Sequence, residues 1–220
     1  MPNTESQHAV YHFTHWSHLP DIVQRGLLSD STVRASSAFA YEAGDRTIKE
    51  RRRQRVVPCE PGGVVADYVP FYLAPRSPML YRIANPRNRP DGGVATYGGS
   101  STELVYLVSS VERLHSAGLA LVLSDRNAAT TLAEFRAEAT TWFEPGFIDW
   151  QLMAAQYWSN TATYPDRMER RMAECLVHRR VPWLLFTRVA VANTAVAQKV
   201  RDALARAGEH TITPVLEPGW

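Results

Sequence analysis

Two cysteines in 220 residues, Cys59 and Cys175, with no CxxC spacing, exclude a disulfide framework and a thiolate metal site. They favour a reducing, cytoplasmic setting over secretion. The opening MPNTESQHAV lacks the basic and apolar regions of a secretory leader. No apolar run reaches the roughly eighteen residues a membrane span needs, so neither export nor membrane insertion is expected. Charge of one sign is also scarce in excess: a net +2 does not by itself call for a polyanionic partner. No GK[ST] or GxGxxG follows a predicted strand, so the glycine pairs at 92–93 and 98–99 are neither a P-loop nor a dinucleotide fingerprint. No GxSxG elbow exists, and neither cysteine has a histidine motif near it. His12, His15 and His18 are three apart, but His12 and His15 would point to opposite faces of a strand, and nothing completes a metal site.

What is present suits one domain. A chain of this length can bury roughly 70–75% of its unfolded surface without staples. Val10–Thr14 alternates as a strand, with Tyr11 and Phe13 on one face and Val10, His12 and Thr14 on the other. If the aromatics take the core, His12 and Thr14 share the opposite face. A short helix carrying Leu19, Ile22 and Val23 follows, with Asp21 in its first turn and Gly26 as its stop. Residues 29–44 are small and polar, and 85–101 are turn-rich. Strands are predicted at 104–108, 119–123, 183–191 and 211–215, and one resumes at Cys175. Helices are predicted at 111–117, around 132–139, at 148–158, 166–173 and 195–207. Strands and helices interleave around one sheet system.

Three stretches invite chemistry. DRTIKERRRQR (45–55) holds six basic residues, with Asp45 as cap and Ile48 as its one strong apolar anchor. Helical spacing places Arg51 and Arg52 on the side of Ile48, so one of them faces the protein body. ADYVPFYLAPRSPMLY (66–81) combines strand-forming aromatics with Pro70, which confines any strand there to an edge or breaks it. Ser77 and Pro78 then begin a helix. The plainest reading of that stretch is a core strand and corner. The alternative is a stacking surface beside a basic patch, as single-stranded nucleic acid requires. Glu174 falls off the stripe defined by Met168 and Met172 if 166–173 is helical, which makes it an exposed helix-end carboxylate unless it serves a site.

Taken in order, His12-Phe13-Thr14-His15, Ile48-Lys49-Glu50-Arg51-Arg52, DYVPFY with PRSPMLY (67–72, 75–81) and RRMAECLV (170–177) resemble the DarT-type DNA ADP-ribosyltransferase toxins. The resemblance runs from about residue 10 to the carboxy-terminus. It implies an α+β ADP-ribosyltransferase fold, related to the poly-ADP-ribose polymerases, with a split, mostly antiparallel sheet in one domain spanning 1–220. It implies NAD+ as co-substrate and no metal. His12, Phe13 and Thr14 would bind NAD+, with Asp21 and Ser29 as more loosely aligned contacts and Phe71 and Tyr72 lining the nicotinamide pocket. Residues 34–54 would cover the NAD+, and about 133–174 would form the substrate-recognising region. Arg52 would serve both the NAD+ and the acceptor base, and Glu174 would be the catalytic glutamate. Arg51, Arg76, Met79 and Arg82 fall on the DNA side, with Arg87 and Arg89 extending the basic surface. The implied activity is ADP-ribosylation of single-stranded DNA by a monomeric toxin, most often on a thymine ring nitrogen, with guanine in another branch. The implied partner is a DarG-type antitoxin whose macrodomain removes the mark. Rival readings are transfer to RNA or protein, NAD+ hydrolysis, and a single-stranded nucleic-acid-binding module without catalysis.

Overall fold

The computed structural model describes residues 8–36, 46–85 and 100–218. Asp45, Arg87, Arg89 and the middle of the 34–54 segment lie outside these residues. Strand β1 (Ala9–His15) leads through α1 (Leu19–Arg25), β2 (Leu27–Leu28), α2 (Asp30–Ala35) and α3 (Arg46–Gln54) to β3 (Tyr68–Tyr72) and α4 (Pro78–Ala84). Then come β4 (Leu104–Ser110), α5 (Val111–Ser116), β5 (Leu121–Ser124), β6 (Phe135–Arg136), α6 (Trp150–Ala154) and α7 (Arg167–Arg170). The chain closes with β7 (Glu174–His178), β8 (Arg180–Val181), β9 (Arg188–Val191), α8 (Thr194–Arg206) and β10 (Val215–Leu216).

Eight strands form one sheet in the order β10-β9-β4-β1-β3-β7-β5-β6. Every pairing in it is antiparallel except β10 with β9. The halves are joined weakly: β1 and β4 pair along seven positions, whereas β1 and β3 meet only at Tyr11 opposite Tyr72. The sheet is therefore split between β1 and β3, as expected. Beneath it lies the main core, where Val10, Val69, Phe71, Leu107, Cys175 and Val177 pack against Leu19, Ile22, Val200 and Leu204 of α1 and α8. On the opposite face each half carries its own smaller cluster. One is built on Tyr68, Val122 and Leu176, the other on Leu80, Tyr106 and Val108. The groove between these clusters follows the split.

The split explains Pro70. In strand order β3 is interior, not the edge that proline predicts. The Pro70 carbonyl faces His12 of β1, so the amide hydrogen it lacks falls on the unzipped side and no ladder bond is forfeited. The alternation in β1 is as expected, but its faces are reversed. Val10 and Thr14 are buried at 0% and 7% exposure, while Tyr11 and Phe13 pack on the smaller cluster, because α1 and α8 cover the other side.

Other local expectations yield to tertiary packing. The helical spacing of Leu132, Phe135 and Ala139 does not make a helix; Phe135–Arg136 pairs as β6 with β5, and Leu132 is 72% exposed. The predicted helix at 148–158 is only Trp150–Ala154, and Tyr157 is 78% exposed, not part of a core stripe. Trp183–Leu185 is a 3-10 turn before β9. The predicted strand at 211–215 shrinks to Val215–Leu216. No helix among the described residues is long and apolar enough to cross a membrane.

Candidate active site

Glu174 opens β7, where it sits opposite Tyr72 of β3 and Ser124 of β5. It is not an exposed helix-end residue: α7 stops at Arg170, and Glu174 is 2% exposed. Strand alternation decides its direction. Cys175 and Val177 enter the main core, so Glu174 points to the groove face. There Oε1 accepts the Ala128 N–H at 3.1 Å. Nη1 of Arg52 donates to both carboxylate oxygens, at 3.1 and 2.9 Å.

The Ala128 amide is aimed by a built turn. Asp125 Oδ1 accepts from Glu134 N at 2.9 Å, and Ser124 Oγ donates to the Arg126 carbonyl at 2.8 Å. The Arg126 guanidinium, itself 9% exposed, joins Asp125 and Asp166 at 3.0 and 3.3 Å. The turn is thereby tied to the helix that precedes Glu174.

Arg52 reaches the carboxylate from α3. Ile48, one turn earlier, and Arg52 both wall the groove, whereas Arg51 is exposed. The choice between the two arginines is settled by the helix rotation. Arg52 Nη2 is buried without a hydrogen-bond partner among the described residues, leaving donor capacity beside Glu174. Its neighbour Arg53 grips Asp30 of α2 at 2.8 Å and holds α3 against the body.

His12 closes the other half of the split. Its Nδ1 is 2.8 Å from the Pro70 carbonyl and must donate to it, which leaves Nε2 as the acceptor of the neutral ring. Burial pulls its pKa down to about 4, so the ring is neutral at physiological pH. Phe13 and Tyr72 stand nearly parallel, 9° apart with centroids at 6.0 Å, and form a flat aromatic wall. Burial, reinforced by the Glu174 carboxylate, raises the Tyr72 phenol pKa. That hydroxyl donates to Met79 Sδ at 3.6 Å.

These residues enclose a cleft of about 830 Å³, its open mouth included. Its lining is mostly apolar with a few placed polar groups, the usual make-up of small-molecule sites. Of the residues singled out in the sequence, His12, Phe13, Arg52, Tyr72, Met79 and Glu174 converge on the cleft. The others do not line it. Thr14 is buried and hydrogen-bonds His18 Nδ1 at 2.7 Å. Asp21 is exposed and pairs with Arg25 at 3.3 Å. Ser29 caps α2, and Phe71 belongs to the main core. Arg51, Arg76 and Arg82 are exposed outside it.

Sequence reasoning missed Asp30, Lys49, Tyr68, Asn127 and Met172, all of which wall the cleft. Strand parity with Tyr72 would have found Tyr68. Asp30 opens α2, and Asn127 and Met172 lie in the turns after β5 and before β7, so no such signal marked them. No group of three or more metal-ligating side chains comes together among the described residues.

The chain also matches a known family. The description "ssDNA thymidine ADP-ribosyltransferase, DarT" matches residues 11–220. The chain belongs to the DarT family. A DNA ADP-ribosyl transferase of Thermus sp. 2.9 is 36% identical over 199 residues, covering 89% of this chain and 86% of the relative. The structure superposes on Thermus sp. 2.9 DarT in complex with ADP-ribosylated ssDNA with a TM-score of 0.84 and 32% identity, over 97% of this chain and 95% of the other. Against the same DarT in complex with NAD+ the TM-score is 0.80 at 30% identity, over 97% and 96% of the two chains. A more distant relative from Thermosipho africanus, 22% identical over 89% of this chain and 45% of its own length, is a DNA ADP-ribosyl transferase–DNA ADP-ribosyl glycohydrolase fusion protein. The split sheet described above is thus the DarT fold, an ADP-ribosyltransferase fold of the α+β class.

Proposed function

We propose that this protein is an NAD+-dependent ADP-ribosyltransferase that attaches ADP-ribose to a thymine ring nitrogen of single-stranded DNA and releases nicotinamide. The observation that carries the reading is Glu174, a buried carboxylate at the split of the sheet, fixed by one guanidinium and one amide N–H.

Breaking the bond between nicotinamide and ribose C1′ sends the bonding pair to the ring and leaves oxocarbenium-like positive charge on the sugar. A carboxylate held against the ribose 2′-hydroxyl orients the sugar and favours that charge. The buried carboxylate of Glu174 suits this role, and its two fixed partners limit its motion. The neutral His12 offers Nε2 as an acceptor to the same ligand, and the Phe13–Tyr72 wall suits a flat ring. A new bond then forms from C1′ to the base nitrogen, whose proton passes to solvent water at the open mouth of the cleft. Arg52 stays protonated in proteins, so it steadies the developing base anion and positions the acceptor without taking the proton itself.

The reading includes a monomer acting in the cytoplasm, where NAD+ and DNA meet, as the toxin of a toxin–antitoxin pair. The joining of transferase and glycohydrolase in the Thermosipho relative supports a macrodomain hydrolase as the antitoxin partner. Labelled NAD+ incubated with single-stranded DNA, duplex DNA, RNA and protein tests the activity. Label on single-stranded DNA is expected; label on RNA or protein alone, or nicotinamide release with no acceptor labelled, would sink the reading.

A further inference from the structure

Three residues before Glu174 lies an arginine that the chemistry above does not use. Arg171 follows α7 and is 2% exposed. Among the described residues, each of its four side-chain hydrogen bonds goes to a main-chain carbonyl. Nε donates to Arg76 at 3.0 Å, and Nη1 donates to Met153 at 2.8 Å, to Ala155 at 3.2 Å and to Leu152. A buried cation without a carboxylate is costly unless its donors are satisfied. Here carbonyls at the end of α6 and in the corner after β3 accept from it together.

One of the two segments it gathers leads directly to the cleft wall. The corner at Arg76 leads through the Ser77 cap into α4, which carries Met79 on the cleft wall. The end of α6 leads to Trp158, whose ring meets Tyr81 of α4 edge-on at 5.9 Å. A second bond to the corner, from the Tyr106 hydroxyl to the Pro75 carbonyl, shows how closely that turn is held. One planar fork therefore joins α4, the loop after α6 and the strand that carries Glu174. A lysine, with a single point charge, could not span both segments in the same way.

We propose that Arg171 is a positioning residue for the acceptor: by tying the corner before α4 and the end of α6 to the segment that leads into Glu174, it sets Met79 at a fixed place relative to Glu174. The inference rests on the proposed DNA ADP-ribosylation, since it concerns where the acceptor strand lies. It requires the acceptor step to depend on Arg171 while NAD+ binding, served by His12 and Phe13 of β1, does not.

The test compares wild type, Arg171→Met and Arg171→Lys in two readouts: NAD+ affinity by calorimetry, and steady-state kinetics with a single-stranded oligonucleotide at saturating NAD+. In Arg171→Met, kcat/KM for the oligonucleotide should fall on the order of a hundredfold, as misplacement by about an ångström does, with NAD+ affinity unchanged. Arg171→Lys should recover part of the loss. NAD+ affinity falling in step with oligonucleotide turnover, wild-type kinetics in Arg171→Met, or failure of both variants to fold would each overturn the assignment. Wild-type protein that binds NAD+ yet leaves single-stranded DNA unmodified would overturn the underlying reading and the inference with it.

Discussion

Arg52 Nη1 bonds both carboxylate oxygens of Glu174, at 3.1 and 2.9 Å, across 122 residues of sequence. The side chains are 15% and 2% exposed, so the pair is shielded from solvent and salt. It joins the helix that covers the cleft to the strand at its floor. Both members sit where charge is proposed to develop, which makes each separable by mutation.

Glu174→Gln keeps the size of the side chain and the acceptor for the Ala128 N–H, but removes the charge. Transfer to single-stranded DNA should fall on the order of a hundredfold to a thousandfold, the range seen when one preorganised electrostatic group is lost. NAD+ binding, measured by calorimetry, should persist. Unchanged turnover would remove Glu174 from the chemistry.

Arg52→Ala leaves the Glu174 carboxylate buried with only the Ala128 N–H as partner. A destabilisation of about 3 kcal/mol is expected, as for other broken buried pairs, visible as a lower Tm in a protein that still folds. Transfer should be suppressed well beyond any change in oligonucleotide affinity. A proportional loss of affinity and turnover would reduce Arg52 to a phosphate contact.

His12 links stability to pH. In the folded protein its pKa is held down to about 4 by burial, against 6.5 for the free group. Between those values the unfolded chain binds the extra proton and the folded chain does not. Stability therefore declines as pH falls through this window, and is fully retained above it. Urea unfolding across pH 4 to 7 should show the decline, and His12→Gln should flatten it. His18, lowered in the same direction by burial, supplies a remaining slope. An identical slope in the variant would contradict the neutral, buried His12.

Gly26 ends α1 with φ at 80°, where a side chain is strained. A Cβ there would lie 2.7 Å from the Val181 carbonyl oxygen, which β2–β8 pairing holds in place. Gly26→Ala should cost about 2 kcal/mol and lower Tm, while the KM for NAD+ stays constant because Gly26 does not wall the cleft. A shifted KM would tie this corner to the site.

Much of this architecture is legible in the residues before any folding. The Ser77 cap with Pro78 behind it, the Gly26 stop and the helix at 194–206 follow from local rules that act within a turn. So does the helical phase that brings Ile48 together with one of two arginines. The failures have a common form. At 132–139 and 148–158 apolar spacing suggested helices, but a β-pairing and a gathered set of carbonyls claimed those segments. Periodicity describes what a segment could bury, not what will pack against it.

The family motifs, the alternation of β1 and the arginine-rich helix could be read from the residues alone, because these depend on neighbours a few residues apart. Only the tertiary structure decided that Arg52 and not Arg51 meets Glu174, that Glu174 is buried at a strand start, and that Pro70 faces a split and not an edge. It also decided that Thr14, Phe71 and Ser29 belong to packing and capping among the described residues. The physical reason is that the site is assembled across the weak seam between β1 and β3. Which faces meet there depends on how two half-sheets dock, and no local spacing encodes that.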